Sequence, residues 1–227
     1  RGELSRTAVL DGLANLVLGG EETAGAPLLF ACLLLAQQPQ AQQRAREDVE
    51  GTLGSEPFTA ADPPRLPYLE QVFKESLRLY PAVPFLSRQA TQAVEIFGHP
   101  LPKNSHVILS VYGVQRDERW FAEPAAFRPE RFEPEREKGL TPHSFLPFGA
   151  GVHACIGRKL AMLEASQVLA TLLANVRLEL PDGFQMPRLI ADMRLHPEGP
   201  LNLRLASRTT GTTPHAAKAS STAAAHR

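Results

Sequence analysis

A chain of 227 residues, 43% of them hydrophobic, has the material for one sizeable core. Its 24 basic and 24 acidic residues cancel to a formal charge of zero, so the overall balance implies neither a nucleic-acid surface nor an acidic partner. Two cysteines, Cys32 and Cys155, suggest no disulfide framework and are compatible with a reducing compartment. The sequence opens at Arg1, inside an apolar helical pattern, so a preceding segment is expected. No signal peptide is visible, and the longest apolar run, residues 26–36, is interrupted by Pro27 and too short to cross a bilayer. Localisation therefore stays open, with the cytoplasm expected for a soluble form.

Residues 4–38 predict one long helix, with Leu10, Leu13, Leu16 and Val17 and then residues 28–35 forming a wide apolar face. Its circumference is apolar enough to predict an exposed apolar patch if nothing further covers it. Gly19 and Gly20 sit in its middle, where each glycine costs about 1 kcal/mol against alanine. Such a pair predicts a local opening of the helix or a close approach to its backbone. Alternatively, Gly-Gly ends one helix, and Glu21, Glu22 and Thr23 begin another. Residues 40–53 read as a charged, solvent-facing amphipathic helix closed by Gly54. Pro63, Pro64 and Pro67 introduce a helix over residues 68–80, stopped by Pro81, in which Leu69, Val72, Phe73, Ser76 and Leu77 keep helical spacing.

Residues 93–97 and 107–110 predict two short strands joined across the turn-rich residues 98–104. Residues 120–147 are rich in proline and charge, yet Phe121, Phe127, Phe132 and Phe145 carry more aromatic surface than a disordered linker would, so an ordered loop is expected. After Cys155 a helix is expected to about residue 175, with Leu160, Leu163, Val168, Leu169 and Leu172 inward. Hairpin-like pieces are expected around residues 181–183 and 197–200. From Ser207 onward the composition falls to Thr, Ser, Ala, Gly and Lys, which predicts a disordered tail over 208–227 beside a domain portion over 1–207.

Residues 148–157 carry the chemistry: a glycine-punctuated loop presents a single cysteine at the mouth of an apolar helix. A soft thiolate is a strong ligand for iron and stays deprotonated when metal charge, loop amides and a helix N-terminus face it. Cys155 is therefore a candidate axial ligand, the alternative being a small buried hydrophobe. Gly149, Gly151 and Ala154 also fit a dinucleotide-binding fingerprint, but that motif needs a buried strand before it, and Pro142 and Pro147 bracket only four residues. Glu22-Thr23, beside the glycine pair, reads on its own as a solvated helix face. Glu75 and Arg78 form an i,i+3 pair, worth about 0.2–0.5 kcal/mol if exposed.

Taken together these residues carry a family resemblance. Phe148-x-x-Gly151-x-His153-x-Cys155-x-Gly157 resembles the haem-binding signature of the cytochromes P450, the haem-thiolate monooxygenases. Three further motifs stand in the family's own order: GGEETA over 19–24, ExxR from Glu75 to Arg78, and FRPERF over 127–132. The resemblance spans nearly all of residues 1–207 and implies the C-terminal portion of the P450 fold, mainly α with small β-sheets (α+β), beginning in the long distal helix. It implies haem b with Cys155 as axial thiolate, Phe148 shielding the sulfur, and His153 and Arg88 at the haem propionates. It further implies Glu22 and Thr23 as the acid–alcohol pair, although the alcohol usual at the next position is replaced by Ala24. Glu75, Arg78 and Arg131 are implied to be a buried structural triad, and Leu16, Gly20, Val83, Phe85 and Leu86 to line an apolar substrate pocket. The family's partners are O2, a small lipophilic substrate and an electron-donor protein, ferredoxin or flavoprotein, for which Arg158 and Lys159 offer a cationic proximal face. Two rival functions remain: a haem-binding fragment without catalysis, and a peroxide-driven peroxygenase, against which the Glu22-Thr23 relay argues.

Overall fold

Ser5 begins the first helix: its hydroxyl accepts the Ala8 N–H at 3.1 Å and satisfies a donor that a first turn leaves unpaired. In the computed structural model, which describes residues 5–207, that helix, α1, runs over Arg6–Gln37. By length and composition α1 could cross a membrane, but its C-terminal part forms the centre of the core. Phe30, Ala31, Leu33 and Leu35 are fully buried, whereas Val9, Leu10, Leu13, Leu16, Val17 and Leu18 are 43% to 73% exposed. Phe30 stacks on Tyr80 with ring centroids 4.3 Å apart.

The remaining helices are α2 (Pro39–Leu53), α3 (Pro67–Leu79), the short α4 (Val111–Val114) and α5 (Pro134–Lys138), and α6 (Arg158–Asn175). Prolines open α2 and α3, where a first-turn N–H has no helical partner to lose. Gly54 closes α2 at φ +57, a left-handed conformation glycine adopts without cost. The core forms where α2, α3 and α6 meet the buried half of α1, through residues such as Leu35, Val49, Leu69, Val72, Leu169 and Leu173. Ser76, which fits the apolar spacing of α3, is buried and donates to Pro27 O at 3.2 Å. Gln42 is a buried clasp: its amide nitrogen donates to Leu35 O at 3.0 Å and Leu178 O at 2.9 Å, and its oxygen accepts Leu178 N–H at 2.9 Å.

Eight strands form four two-stranded antiparallel sheets among the described residues: β1 (Phe85–Gln89) with β4 (His106–Ser110), β2 (Val94–Ile96) with β3 (His99–Leu101), β5 (Val176–Glu179) with β8 (Arg204–Ser207), and β6 (Leu189–Ala191) with β7 (Leu195–Pro197). The strands expected over 93–97 and 107–110 exist but do not pair with one another. Phe97 and Gly98 both take positive φ, 50° and 79°, making a tight two-residue turn that folds β2 back on β3 and frees β4 for β1. The expected hairpins are also corrected. Residues 181–183 do turn, but Pro187 cannot donate to a ladder there, and β5 pairs instead with the distant β8. The other hairpin turns at residues 192–194 rather than 197–200, because the Asp192 carboxylate accepts the Arg194 N–H at 3.0 Å.

On α6 the buried stripe is Ala165, Ser166, Leu169, Ala170 and Leu173, whereas Leu160 and Val168, expected inward, are 58% and 40% exposed. Apolar residues stand on several faces of α6, and the alanines select the face that approaches its neighbours. The expected disordered tail lies outside the described residues. Burial sets the energetic contrast: Leu169→Ala should cost about 2–5 kcal/mol, whereas the exposed Leu13→Ala should stay within about 0.5 kcal/mol. Urea denaturation midpoints check this, and equal losses would refute the burial assignment.

Candidate functional site

Glu75 and Arg78 lie one turn apart on α3, both side chains with no exposed surface. Arg78 grips Glu75 bidentately, Nε to Oε2 at 2.7 Å and Nη2 to Oε1 at 2.8 Å. Its other donors reach the carbonyls of Gln115 and Pro124, both at 2.8 Å, and of Ala126 at 3.1 Å. Arg131 joins through Nε to Glu75 Oε1 at 3.3 Å, and the Arg128 N–H donates to the same oxygen at 2.8 Å. Burial pushes the Arg131 pKa down against the opposing pull of Glu75. The fully buried Gln115 escaped the sequence reading. Its amide nitrogen donates to Leu77 O at 3.0 Å and Arg78 O at 3.1 Å, while its oxygen accepts Leu146 N–H at 2.8 Å. No spacing announces it, since its partners lie more than thirty residues away in either direction.

From Leu146 the chain enters the cysteine loop. The Cys155 N–H donates to Phe148 O at 2.8 Å and closes the loop, while Gly149 and Gly151 both take φ +67. That left-handed conformation is one most side chains resist. Cys155 is exposed, beside Val152 and Ile156, which are 96% and 91% exposed. A Cβ on Gly157 would stand 3.8 Å from Cys155 Sγ. His153 is exposed at the end of a single 3-10 turn, Gly151–His153, and Phe148 is half-buried with the Arg158 guanidinium 5.8 Å from its ring centroid. The other thiol differs: Cys32 is buried, and burial pushes its pKa up to about 11.

Among the described residues no three or more His, Cys, Asp or Glu side chains gather as a metal cluster. One presented thiol flanked by exposed apolar side chains therefore suits an iron that brings its other ligands in a flat apolar macrocycle. These residues fit a haem.

On α1 the structure corrects one expectation. The helix neither opens nor ends at Gly19-Gly20, and apart from the helix's own backbone nothing described lies within 4 Å of where a Cβ would stand on either glycine. With nothing pressed against it, the backbone keeps its ladder, and the Thr23 hydroxyl donates back to Gly19 O. Glu22 is exposed and paired with Arg194, a contact that spacing could not reveal. Leu16 and Gly20 are exposed; Val83 and Leu86 are half-buried, with Phe85 exposed on β1. Arg88 is exposed, its Nη1 donating to Ser87 O at 2.8 Å.

The structure does contain an open cleft of about 500 Å³, elsewhere, with Lys74, Phe145, Phe148, Arg158, Lys159 and Met162 among its walls. Lys74 is committed to Glu70 and Glu137, both at 2.8 Å; burial opposes its charge, but the two carboxylates prevail and raise its pKa. Arg158 and Lys159 remain as exposed cations at this rim.

A family model described as Cytochrome P450 matches residues 1–204. The chain is 31% identical over 207 residues to Cytochrome P450 4V2 of Mus musculus, covering 90% of this chain and 39% of that protein. It is 36% identical over 203 residues to Cyclooctatin synthase of Streptomyces melanosporofaciens, covering 87% and 44%. A crystal structure of a cytochrome P450 (CYP102L1) superposes with a TM-score of 0.83 at 31% identity, over 91% of this chain and 47% of the other. The haem domain of cytochrome P450DA gives 0.85 at 26% identity, over 91% and 46%. Over the part it matches, the fold is that of these cytochrome P450 structures. The chain thus spans roughly two fifths of the length of these curated relatives.

Removing one partner of the buried pair strands the other charge, so Glu75→Ala should cost about 3–5 kcal/mol. Arg44→Ala, which breaks a half-exposed pair with Glu130 and removes a guanidinium 4.0 Å from the Tyr68 ring centroid, should cost about 0–2 kcal/mol. Chemical denaturation reads both, and similar costs would deny the buried pair its role.

Proposed function

The chain belongs to the cytochrome P450 family, and from that premise we propose that it supplies the ligand-bearing part of a haem-thiolate monooxygenase acting on a small lipophilic substrate. One observation carries this reading: Cys155 is the exposed thiol of the two, held on a loop closed onto Phe148. When bound, a haem held by a cysteine thiolate, haem b in this reading, would supply the activation of O2, one atom entering the substrate and the other leaving as water, with two electrons from a donor protein and two protons from solvent.

The chain's own residues divide the remaining tasks. Cys155 would hold the iron, and the positive φ of Gly149 and Gly151 turns the backbone so that the thiol is presented. Phe148 shields the sulfur. His153 and Arg88 stand exposed, with donors available for propionate carboxylates. Thr23 holds a proton at its hydroxyl, and Glu22 exchanges one with solvent. Leu16, Gly20, Val83, Phe85 and Leu86 bind and orient the apolar substrate. Arg158 and Lys159 beside the cleft attract an acidic ferredoxin or flavoprotein.

A narrower reading has its own support. The exposed apolar residues of α1 leave that side open to water, which favours side reactions over coupled transfer. The chain by itself would then bind haem with poor coupling.

In haem-loaded protein, Cys155→Ser should abolish the red-shifted Soret band of the ferrous carbonyl complex. A band that persists, with Cys32 the remaining thiol, removes Cys155 as ligand. Thr23→Ala should keep the haem content while a larger share of the O2 consumed appears as hydrogen peroxide; an unchanged share returns Thr23 to an ordinary helix position.

A further inference from the structure

Arg194 and Glu22 join opposite ends of the sequence: across 172 positions the guanidinium Nη1 donates to Glu22 Oε2. Arg194 sits at the β6–β7 turn, where Asp192 is the nearer acid. The Asp192 carboxylate is committed, accepting the Arg194 N–H at 3.0 Å through Oδ1 and meeting His196 Nε2 at 3.3 Å through Oδ2. Those bonds, the backbone one first, hold its pKa below the ordinary carboxylate range. The guanidinium is thereby left to reach outward. Leu195, the first residue of β7, is buried and its N–H donates to Ala82 O at 2.9 Å, while Arg194 and His196 on either side of it are half-buried.

On α1, Glu22 adjoins Thr23, whose hydroxyl is taken by the Gly19 carbonyl within the same helix. Of these two groups the carboxylate is the one oriented from outside the helix. We infer that Arg194 is a positioning residue for the Glu22 carboxylate, an inference that rests on Glu22 and Thr23 serving as the acid–alcohol pair. The guanidinium takes Oε2 and leaves Oε1 for proton exchange. Without that contact a glutamate on an exposed helix face samples several rotamers, and a relay group that wanders loses its effective concentration. Arg194 and Glu22 are 36% and 55% exposed, so the pair contributes direction far more than folding stability. The Leu195–Ala82 bond extends the link to the segment that carries Val83 and Phe85.

Hydrogen–deuterium exchange of the 227-residue chain tests the contact in the parent, Arg194→Gln, Glu22→Gln, the double variant, and the charge-exchanged pair Glu22→Arg with Arg194→Glu. Each single variant should speed amide exchange over residues 19–26 by roughly two- to five-fold, the range open to an exposed ion pair. The double variant should add nothing, and the exchanged pair should restore the parent rate. Additive effects, or residues 19–26 unchanged in Arg194→Gln, overturn the inference. Peroxide released per O2 consumed, read on haem-loaded protein, separates it from the reading it rests on. Glu22→Gln without effect sinks the relay and leaves nothing for Arg194 to position. Glu22→Gln releasing more peroxide while Arg194→Gln stays at the parent level keeps the relay and overturns the positioning role. Arg194→Lys, which keeps charge but loses the fork, should fall between parent and Arg194→Gln.

Discussion

Arg78 carries a permanent charge with no exposed surface, and burying such a group unpaired costs several kcal/mol. A guanidinium has five N–H donors. Two go to Glu75, and three go to the carbonyls of Gln115, Pro124 and Ala126. Those three carbonyls therefore cannot drift from α3 without stranding a charge. Residues 115–131, poor in regular structure, take their course from this one side chain. Gln115 hands the constraint on to Leu146, and two residues later the Phe148 carbonyl fixes Cys155. A buried ion pair is weak support for stability and a strong specification of geometry; here the specified geometry ends at the thiol.

Helix α1 belongs to two regimes. Its C-terminal part buries Phe30, Leu33 and Leu35 completely, at about 1.5–3 kcal/mol for each large apolar side chain. Residues 6–22 are exposed and rest largely on the helical hydrogen-bond ladder, a weak support in water because most helical stability in proteins comes from packing. Local opening is cheapest where buried contacts are few. Glu22 and Thr23 sit at the junction, with Thr23 half-buried and Pro27 buried one turn later. The proposed relay thus stands where a rigid scaffold gives way to a segment that opens easily.

Much of this was legible in the sequence, and what was not shares a physical cause. Helices declared themselves by period and by punctuating prolines, so α1, α2 and α3 fell within a residue or two of expectation. The i,i+3 spacing put Glu75 and Arg78 on one face, but an exposed pair has the same spacing; only the carbonyls of residues 115–126 reveal the burial. Strand partners failed for a local reason, since the turn that redirects β2 needs a left-handed Phe97, a conformation bulky residues rarely adopt. Gln115 and Arg194 were illegible because their partners lie far along the chain. The inward face of α6 was misjudged because alanine and serine, not the larger apolar residues, line much of it.

The glycine pair shows how motif and fold answer different questions. Gly19 and Gly20 forgo about 1 kcal/mol each relative to alanine, and beyond the helix's own backbone nothing in the described chain lies within 4 Å of either Cβ position to repay it. The closed helix therefore does not need glycine for packing. What the pair does is lower the cost of opening that turn. Thr23 already donates to Gly19 O, so part of the polar replacement that an opened turn requires is in place before it opens. Glu22, held from outside by Arg194, would keep its carboxylate directed while the backbone beside it loosened. A helix weakened at one turn, with the adjacent acid fixed by a separate element, can change its backbone there without scattering the side chains that the proposed chemistry uses.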